Sequence, residues 1–237
     1  MKRREFLSGA ASFGLLSLFP GGPLRDPEPR AGAGAAVPLK PPATGPIRVA
    51  VALTEGATVI DFAGPWEVFQ DVNVPGNDTG FQLFTVGDST RPLRGSAGLQ
   101  LVPDYAFGDA PQPHVIVVGA QRGSPALTSW LKSASEKTDL TMSVCTGAFQ
   151  LGKAGLLHGK AATTHHDFYD RFASAFPDVE LRRGLRFVES SPRLATAGGL
   201  SSGIDLALRV VERYYGREVA ARTAAYMEYQ GKGWIVA

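Results

Sequence analysis

The chain holds one cysteine, Cys145, within Asp139-Leu-Thr-Met-Ser-Val-Cys-Thr-Gly-Ala-Phe-Gln-Leu-Gly152. A β-prone run from Leu140 to Val144 stops at the small-residue turn Cys145-Thr146-Gly147. An apolar helical pattern follows at Ala148, Phe149, Leu151, Ala154 and Leu157. A thiol on such a strand-to-helix turn is held exposed, and the free N–H groups of the helix start favour thiolate over thiol. The logic is that of a nucleophile elbow, although G-x-S-x-G itself is absent. The competing fate of a free cysteine is burial as a small apolar residue. Asp61 offers a proton donor or acceptor, or simply closes the turn before a helix. Thr146 offers a hydroxyl that either orients the sulfur or a water, or caps the helix.

The elements that would position these groups alternate in period. Ile47 to Leu53, Phe81 to Val86 and His114 to Val118 read as strands. Lys160 to Thr164 is a further strand candidate, and Leu185 to Glu189 with Leu194 to Ala197 read as a strand pair. Arg91 to Pro103 reads as an irregular β excursion with Gly95 and Gly98 in its turns. Helices are expected after Thr58, with Pro65 as first residue, and from Ser124-Pro125 to about Ser135, with Ser124 as N-cap. Others are expected over Phe168 to Phe176, after a cap at Ser201 or Ser202, and from about Glu218 to Glu228. Strands alternating with helices imply a doubly wound α/β sandwich with a mainly parallel sheet. Sites in such sheets lie beyond the carboxyl ends of the strands. Cys145, Gly119 and His165 fall at expected strand ends and Asp61 on the loop after the first strand, so the four can converge.

The 237 residues carry a formal net charge of +2 and suit one domain. A body of about 200 residues buries roughly 70% of its unfolded surface and needs no disulfide. No basic stripe interleaved with aromatics points to nucleic acid, and no His/Cys/Asp spacing matches a metal-ligand pattern. Residues 1–36 read as a twin-arginine signal and cleavage region: Lys2-Arg3-Arg4-Glu5-Phe6-Leu7, an apolar run to Phe19, then small residues at Ala31, Ala33 and Ala36. The run is too short to span a bilayer comfortably. The expectation is export through the twin-arginine machinery to the periplasm or the exterior. Residues 20 to 45, rich in Pro, Gly and Ala, read as disordered, with 37–45 as a linker to a single domain over 46–237.

The segment Ser143-Val-Cys-Thr-Gly-Ala-Phe-Gln-Leu-Gly-Lys-Ala-Gly-Leu-Leu-His-Gly-Lys-Ala-Ala-Thr-Thr-His165 resembles the ThiJ/PfpI family of the class I glutamine amidotransferase-like superfamily. Val59-Ile-Asp-Phe-Ala-Gly-Pro-Trp-Glu-Val-Phe69 resembles the family's first loop and helix, and Ala197-Gly-Gly-Leu-Ser-Ser-Gly-Ile-Asp-Leu-Ala-Leu208 its late Gly-rich turn. The resemblance implies a flavodoxin-like three-layer sandwich, a homodimer and no cofactor. Asp61 before Gly64-Pro65, together with Cys-Thr-Gly, resembles the isonitrile hydratase subgroup, and also the ligand domains of AraC-type regulators. By that resemblance Cys145, Thr146 and Asp61 are the catalytic residues. The expected chemistry is attack of the Cys145 thiolate on an isonitrile carbon, with a protonated Asp61 as acid, then water releasing an N-substituted formamide. Gly119, Ala120 and His165 are expected to bind substrate or an oxyanion. Val-Gly-Ala at 118–120 departs from the family's common Gly-Gly, and His166 replaces an aromatic residue.

Two other classes compete. A glutaminase would need a His and Glu pair late in the chain, and His114, His158, His165 and His166 all lie earlier. An exported small-molecule binder, or a thiol redox protein whose cysteine oxidises to sulfinic acid, uses the same fold without hydration. The short stretch after the last helix and the export motif weigh against a transcription factor.

Overall fold

The computed structural model describes residues 37–75 and 80–236. The export motif therefore lies outside the described residues. In chain order the elements are β1 (Ile47–Leu53), α1 (Val59–Gln70), β2 (Phe81–Gly87), β3 (Leu93–Arg94), β4 (Gln100–Leu101), β5 (Tyr105–Ala106), β6 (Val115–Val118), α2 (Pro125–Ser135), β7 (Leu140–Ser143), α3 (Gly147–Lys153), β8 (Ala161–Ala162), α4 (Tyr169–Ala175), β9 (Glu180–Leu181), β10 (Phe187–Ser191), β11 (Leu194–Ala197), α5 (Ser202–Tyr215) and α6 (Arg217–Tyr226). A seven-stranded sheet runs β10-β11-β7-β6-β1-β2-β5. Every neighbour pair in it is parallel except β10 with β11. This is the flavodoxin-like α/β sandwich that the alternating periods imply.

The central strands are apolar on both faces because helices cover both faces. Val49, Val51 and Leu53 of β1 pack with Val68 and Phe69 of α1, Leu208 of α5 and Ala220 of α6. Ala50 and Ala52 point the other way, toward Leu127 and Leu131 of α2, Leu151 of α3 and Phe172 of α4. Chain order reverses between β1 and β6, whose neighbours continue outward on opposite sides. That switch leaves a crevice at the strand C-termini, and the loops after β1, β6 and β7 all open onto it.

Several elements differ from the sequence reading. Pro65 lies inside α1, not at its start. The helix begins earlier because its first free amides find partners: Thr58 N–H donates to the Ala120 carbonyl at 2.8 Å and Val59 N–H to Ser96 Oγ at 3.2 Å. The expected strand from Lys160 to Thr164 shrinks to β8, paired with β9 outside the main sheet. Its continuation leaves ladder pairing because Thr163 N–H donates to the Thr196 hydroxyl at 2.8 Å. Neither Ser201 nor Ser202 caps α5 through its side chain. Backbone turns satisfy that start instead, with Ser202 N–H to the Gly199 carbonyl and Gly203 N–H to the Leu200 carbonyl, both at 3.1 Å. The stretch read as disordered is, over 37–45, laid on the body. Leu39 packs into the core and donates its N–H to the Arg213 carbonyl at 2.8 Å, and Arg213 Nε donates to the Val37 carbonyl at 3.1 Å.

Ser124 does cap α2: its hydroxyl accepts the Leu127 N–H at 3.0 Å, with Pro125 behind it. Ser124→Ala is expected to cost about 1 kcal/mol of stability, read from the midpoint shift in urea unfolding at unchanged slope.

Candidate functional site

Asp61 sits in the first turn of α1 with no solvent exposure. Its Oδ2 accepts the Ala120 N–H at 2.9 Å, which ties α1 to the loop after β6. The approach is close enough that a Cβ on Gly119 would stand 2.8 Å from the Asp61 Cβ, so position 119 has no room for a side chain. Burial pushes the carboxyl up to about 6, against the opposing pull of the Ala120 N–H and of the Cys145 thiol. Oδ1 is buried and makes no hydrogen bond of regular geometry among the described residues.

Cys145 turns the chain between β7 and α3 with φ of 59°, a left-handed conformation unusual for a residue with a side chain. Three bonds over-determine it. Its N–H donates to the Gly198 carbonyl at 2.8 Å, its carbonyl accepts the buried Thr164 hydroxyl at 2.9 Å, and Gly147 N–H closes the turn onto the Val144 carbonyl at 2.9 Å. Gly147 is also required by packing, since a Cβ there would overlap the Val118 carbonyl. The strained nucleophile turn inferred from the sequence is present, but the thiol is not exposed: Cys145 is 6% accessible. Burial, then the charge of Asp61, push the thiol up to about 11, while the amides of Thr146 and Leu200 pull it down. Burial and the neighbouring carboxylate thus oppose the preference for thiolate expected from the helix start. A helix of seven residues offers too little field to offset desolvation beside a carboxylate. Both shifts point to a protonated thiol beside a carboxyl held near 6.

The structure brings Asp61, Cys145, Thr146, Gly119 and Ala120 together. Thr146 precedes α3 without capping it by side chain, and its amide faces the sulfur. Ala120 has a different part from the one expected. Its N–H is taken by Asp61, so it holds the acid and is not a free oxyanion donor. The donors aimed at the sulfur are the Thr146 and Leu200 amides. Sequence reasoning missed Leu200, whose φ of 52° and 44% exposure carry no signature in a leucine. It also missed Thr164, legible only as a hydroxyl ahead of His165. His165 is set one step back. Its Nδ1 accepts the Asp167 N–H at 3.2 Å and its ring lies against Gly199, the neighbour of Leu200.

Among the described residues, His165, His166 and Asp167 are the trio whose ligand atoms are near enough to share a cation. The two histidine rings stack with centroids 4.5 Å apart. A hollow of about 410 Å³ lined by Thr54, Asp88 and Arg91 among others contains none of the site residues. A second, of about 270 Å³, is lined by Thr146, the chain neighbour of Cys145, with Gln121, Phe149 and Phe168 among its other walls.

Two outcomes follow from the coupled pair. Asp61→Asn removes the charge that opposes thiolate but leaves the burial. The midpoint of Cys145 alkylation against pH should fall below about 11 and stay above the ordinary thiol value of 9.0. Asp61 also has a folded pKa near 6, above its ordinary 3.8. Its contribution to stability is full below the lower value and lost as pH rises through the higher one. Asp61→Asn should then match the parent near pH 4 and exceed it at pH 7 by on the order of 2–3 kcal/mol, read by urea unfolding across pH.

The sequence profile described as the DJ-1/PfpI family matches residues 47–213. An isonitrile hydratase from Pseudomonas putida is 32% identical over 180 residues, covering 72% of this chain and 73% of that one. The HTH-type transcriptional regulator GbdR of Pseudomonas aeruginosa (strain UCBPP-PA14) is 26% identical over 190 residues. The match covers 78% of this chain but 51% of the regulator. The crystal structure of a ThiJ/PfpI family protein from Pseudomonas syringae has a TM-score of 0.67 at 26% identity, covering 79% of this chain and 77% of that one. The chain belongs to the DJ-1/PfpI family.

Proposed function

We propose that the protein hydrates isonitriles to N-substituted formamides through Cys145. The observation that carries this reading is a thiol and a carboxyl buried against each other at the crevice where the chain order reverses. The Pseudomonas putida relative named isonitrile hydratase supports it. Shape supports it too. Cys145 is 6% accessible, so it suits a slender linear group such as –N≡C better than a branched carbonyl.

In this reading Asp61 carboxylate takes the thiol proton as sulfur bonds to the terminal isonitrile carbon. Asp61 then delivers that proton to the same carbon, leaving a thioimidate, Cys145–S–CH=N–R. Water adds to the thioimidate carbon, one proton passing through Asp61 to nitrogen. The C–S bond breaks, the hydroxyl proton returns to sulfur, and R–NH–CHO leaves. The sum is one isonitrile and one water to one formamide, with Asp61 and Cys145 restored. The Thr146 and Leu200 amides hold charge on sulfur at each transfer. Asp61 thus starts each cycle as the base and not as the acid. A carboxyl near 6 is suited to that exchange at neutral pH.

A binding role without turnover is the second reading. The thiol pushed up to about 11 favours it, since an unassisted sulfur is then a poor nucleophile. The same feature weighs against a redox sensor, which needs a low thiol pKa. The twin-arginine motif supports action outside the cytoplasm, and the family resemblance a homodimer; both belong to this proposal.

Turnover of cyclohexyl isonitrile to its formamide by the full chain should fall about 10²–10⁴-fold in Asp61→Asn and vanish in Cys145→Ser. In the parent, kcat/KM should rise with pH through an apparent pKa near 6, as Asp61 ionises. Absence of turnover, with binding of the formamide retained, would leave the binding role.

A further inference from the structure

The cleft beside Thr146 has a composition that hydration chemistry does not require. Arg122, Lys153 and Arg171 reach it from three elements, the loop after β6, the end of α3 and the start of α4. No acidic residue lines it. The neighbouring carboxylates are engaged elsewhere: Asp170 pairs with Arg183 at 2.6 Å and Asp167 with His166 at 2.9 Å. None of the three cations forms an ion pair with a described carboxylate, whereas Arg209 and Arg213, deeper in the fold, share Glu189. Three like charges around one hollow of about 270 Å³ give it a positive potential that favours entry of an anion.

The other walls are aromatic. The Phe149 and Phe168 rings meet edge to face at 6.4 Å, and the Arg171 guanidinium lies 5.9 Å from the Phe149 centroid. Arg122 is also held from behind, because the buried Gln150 amide donates to the Gln121 carbonyl at 3.1 Å and fixes that loop. Thr146 belongs to both places: its amide faces the sulfur and its residue lines the cleft. Thr146 is thus the residue through which the cleft, with its phenylalanines and cations, adjoins the cysteine turn.

We propose that this cleft is the specificity site and that it takes an anionic ligand with an apolar body, an isonitrile bearing a carboxylate. The substrate half of this statement rests on the hydratase reading; the anion-binding half does not. Guanidinium and ammonium groups around one opening recognise a carboxylate by charge-assisted hydrogen bonds that a neutral ester does not form.

The test uses the full chain and four probes. N-formylphenylalanine and its methyl ester are titrated calorimetrically. The potassium salt of 2-isocyano-3-phenylpropanoate and its methyl ester are assayed for turnover. The acid should bind about tenfold more tightly than the ester, with the gap closing near 1 M salt. Arg122→Gln, Lys153→Gln and Arg171→Gln, all exposed, should each weaken the acid about two- to fivefold and leave the ester unchanged. Arg171→Lys should restore part of the loss, which a merely structural role would not give. Equal binding of acid and ester, no binding of either, or a preference indifferent to all three substitutions overturns the proposal. Loss of turnover of both isonitriles with the binding preference intact defeats the hydratase reading and supports anion recognition. Turnover of the ester at the same kcat/KM as the acid overturns the assignment of substrate.

Discussion

The site depends on one proton shared between two buried groups. Asp61 and Cys145 lie where neither can ionise freely, and ionising either opposes ionising the other. Burial and mutual charge put the resting proton on sulfur, with the carboxylate ready to take it. The surroundings hold this arrangement together. Ala120 donates to Asp61, Gly119 lets α1 approach, Gly198 fixes the Cys145 amide, and the Thr146 and Leu200 amides attend the sulfur. These contacts come from three loops, after β6, β7 and β11, at the same end of the sheet.

Such a site is costly to hold, which accounts for the rigidity around it. Cys145 and Leu200 both adopt positive φ without being glycine. The two loops brace each other through Cys145 N–H on the Gly198 carbonyl, and Thr164, from the loop after β8, holds the Cys145 carbonyl. The apolar cores on the two faces of the sheet anchor these loops through β7 and β11, both fully buried. Stability invested in the sheet is thus what permits strain and an unsatisfied carboxylate oxygen at the C-terminal ends of its central strands.

Much of this was legible in the residues. The order of the main elements, the strand pair before the last two helices and the Ser124 cap follow from period and turn chemistry, because those are local properties. The nucleophile turn at Cys145 was readable for the same reason: a β-prone run must end where small residues begin. Errors came where tertiary contacts replaced local rules. Pro65 looked like a helix start until Ala120 and Ser96 supplied partners to the earlier amides. Residues 37–45 looked like free linker, because composition does not reveal that Arg213 holds Val37 and Leu39.

By itself the sequence determined the α/β architecture, the residue types of the site and their placement at strand ends. Those depend on periodicity and on spacing along the chain. Only the tertiary structure decided the protonation of the pair, the use of the Ala120 amide and the aim of Leu200. It alone gathered Arg122, Lys153 and Arg171 around one cleft. Desolvation and charge–charge coupling act through space, between residues that the chain order keeps far apart.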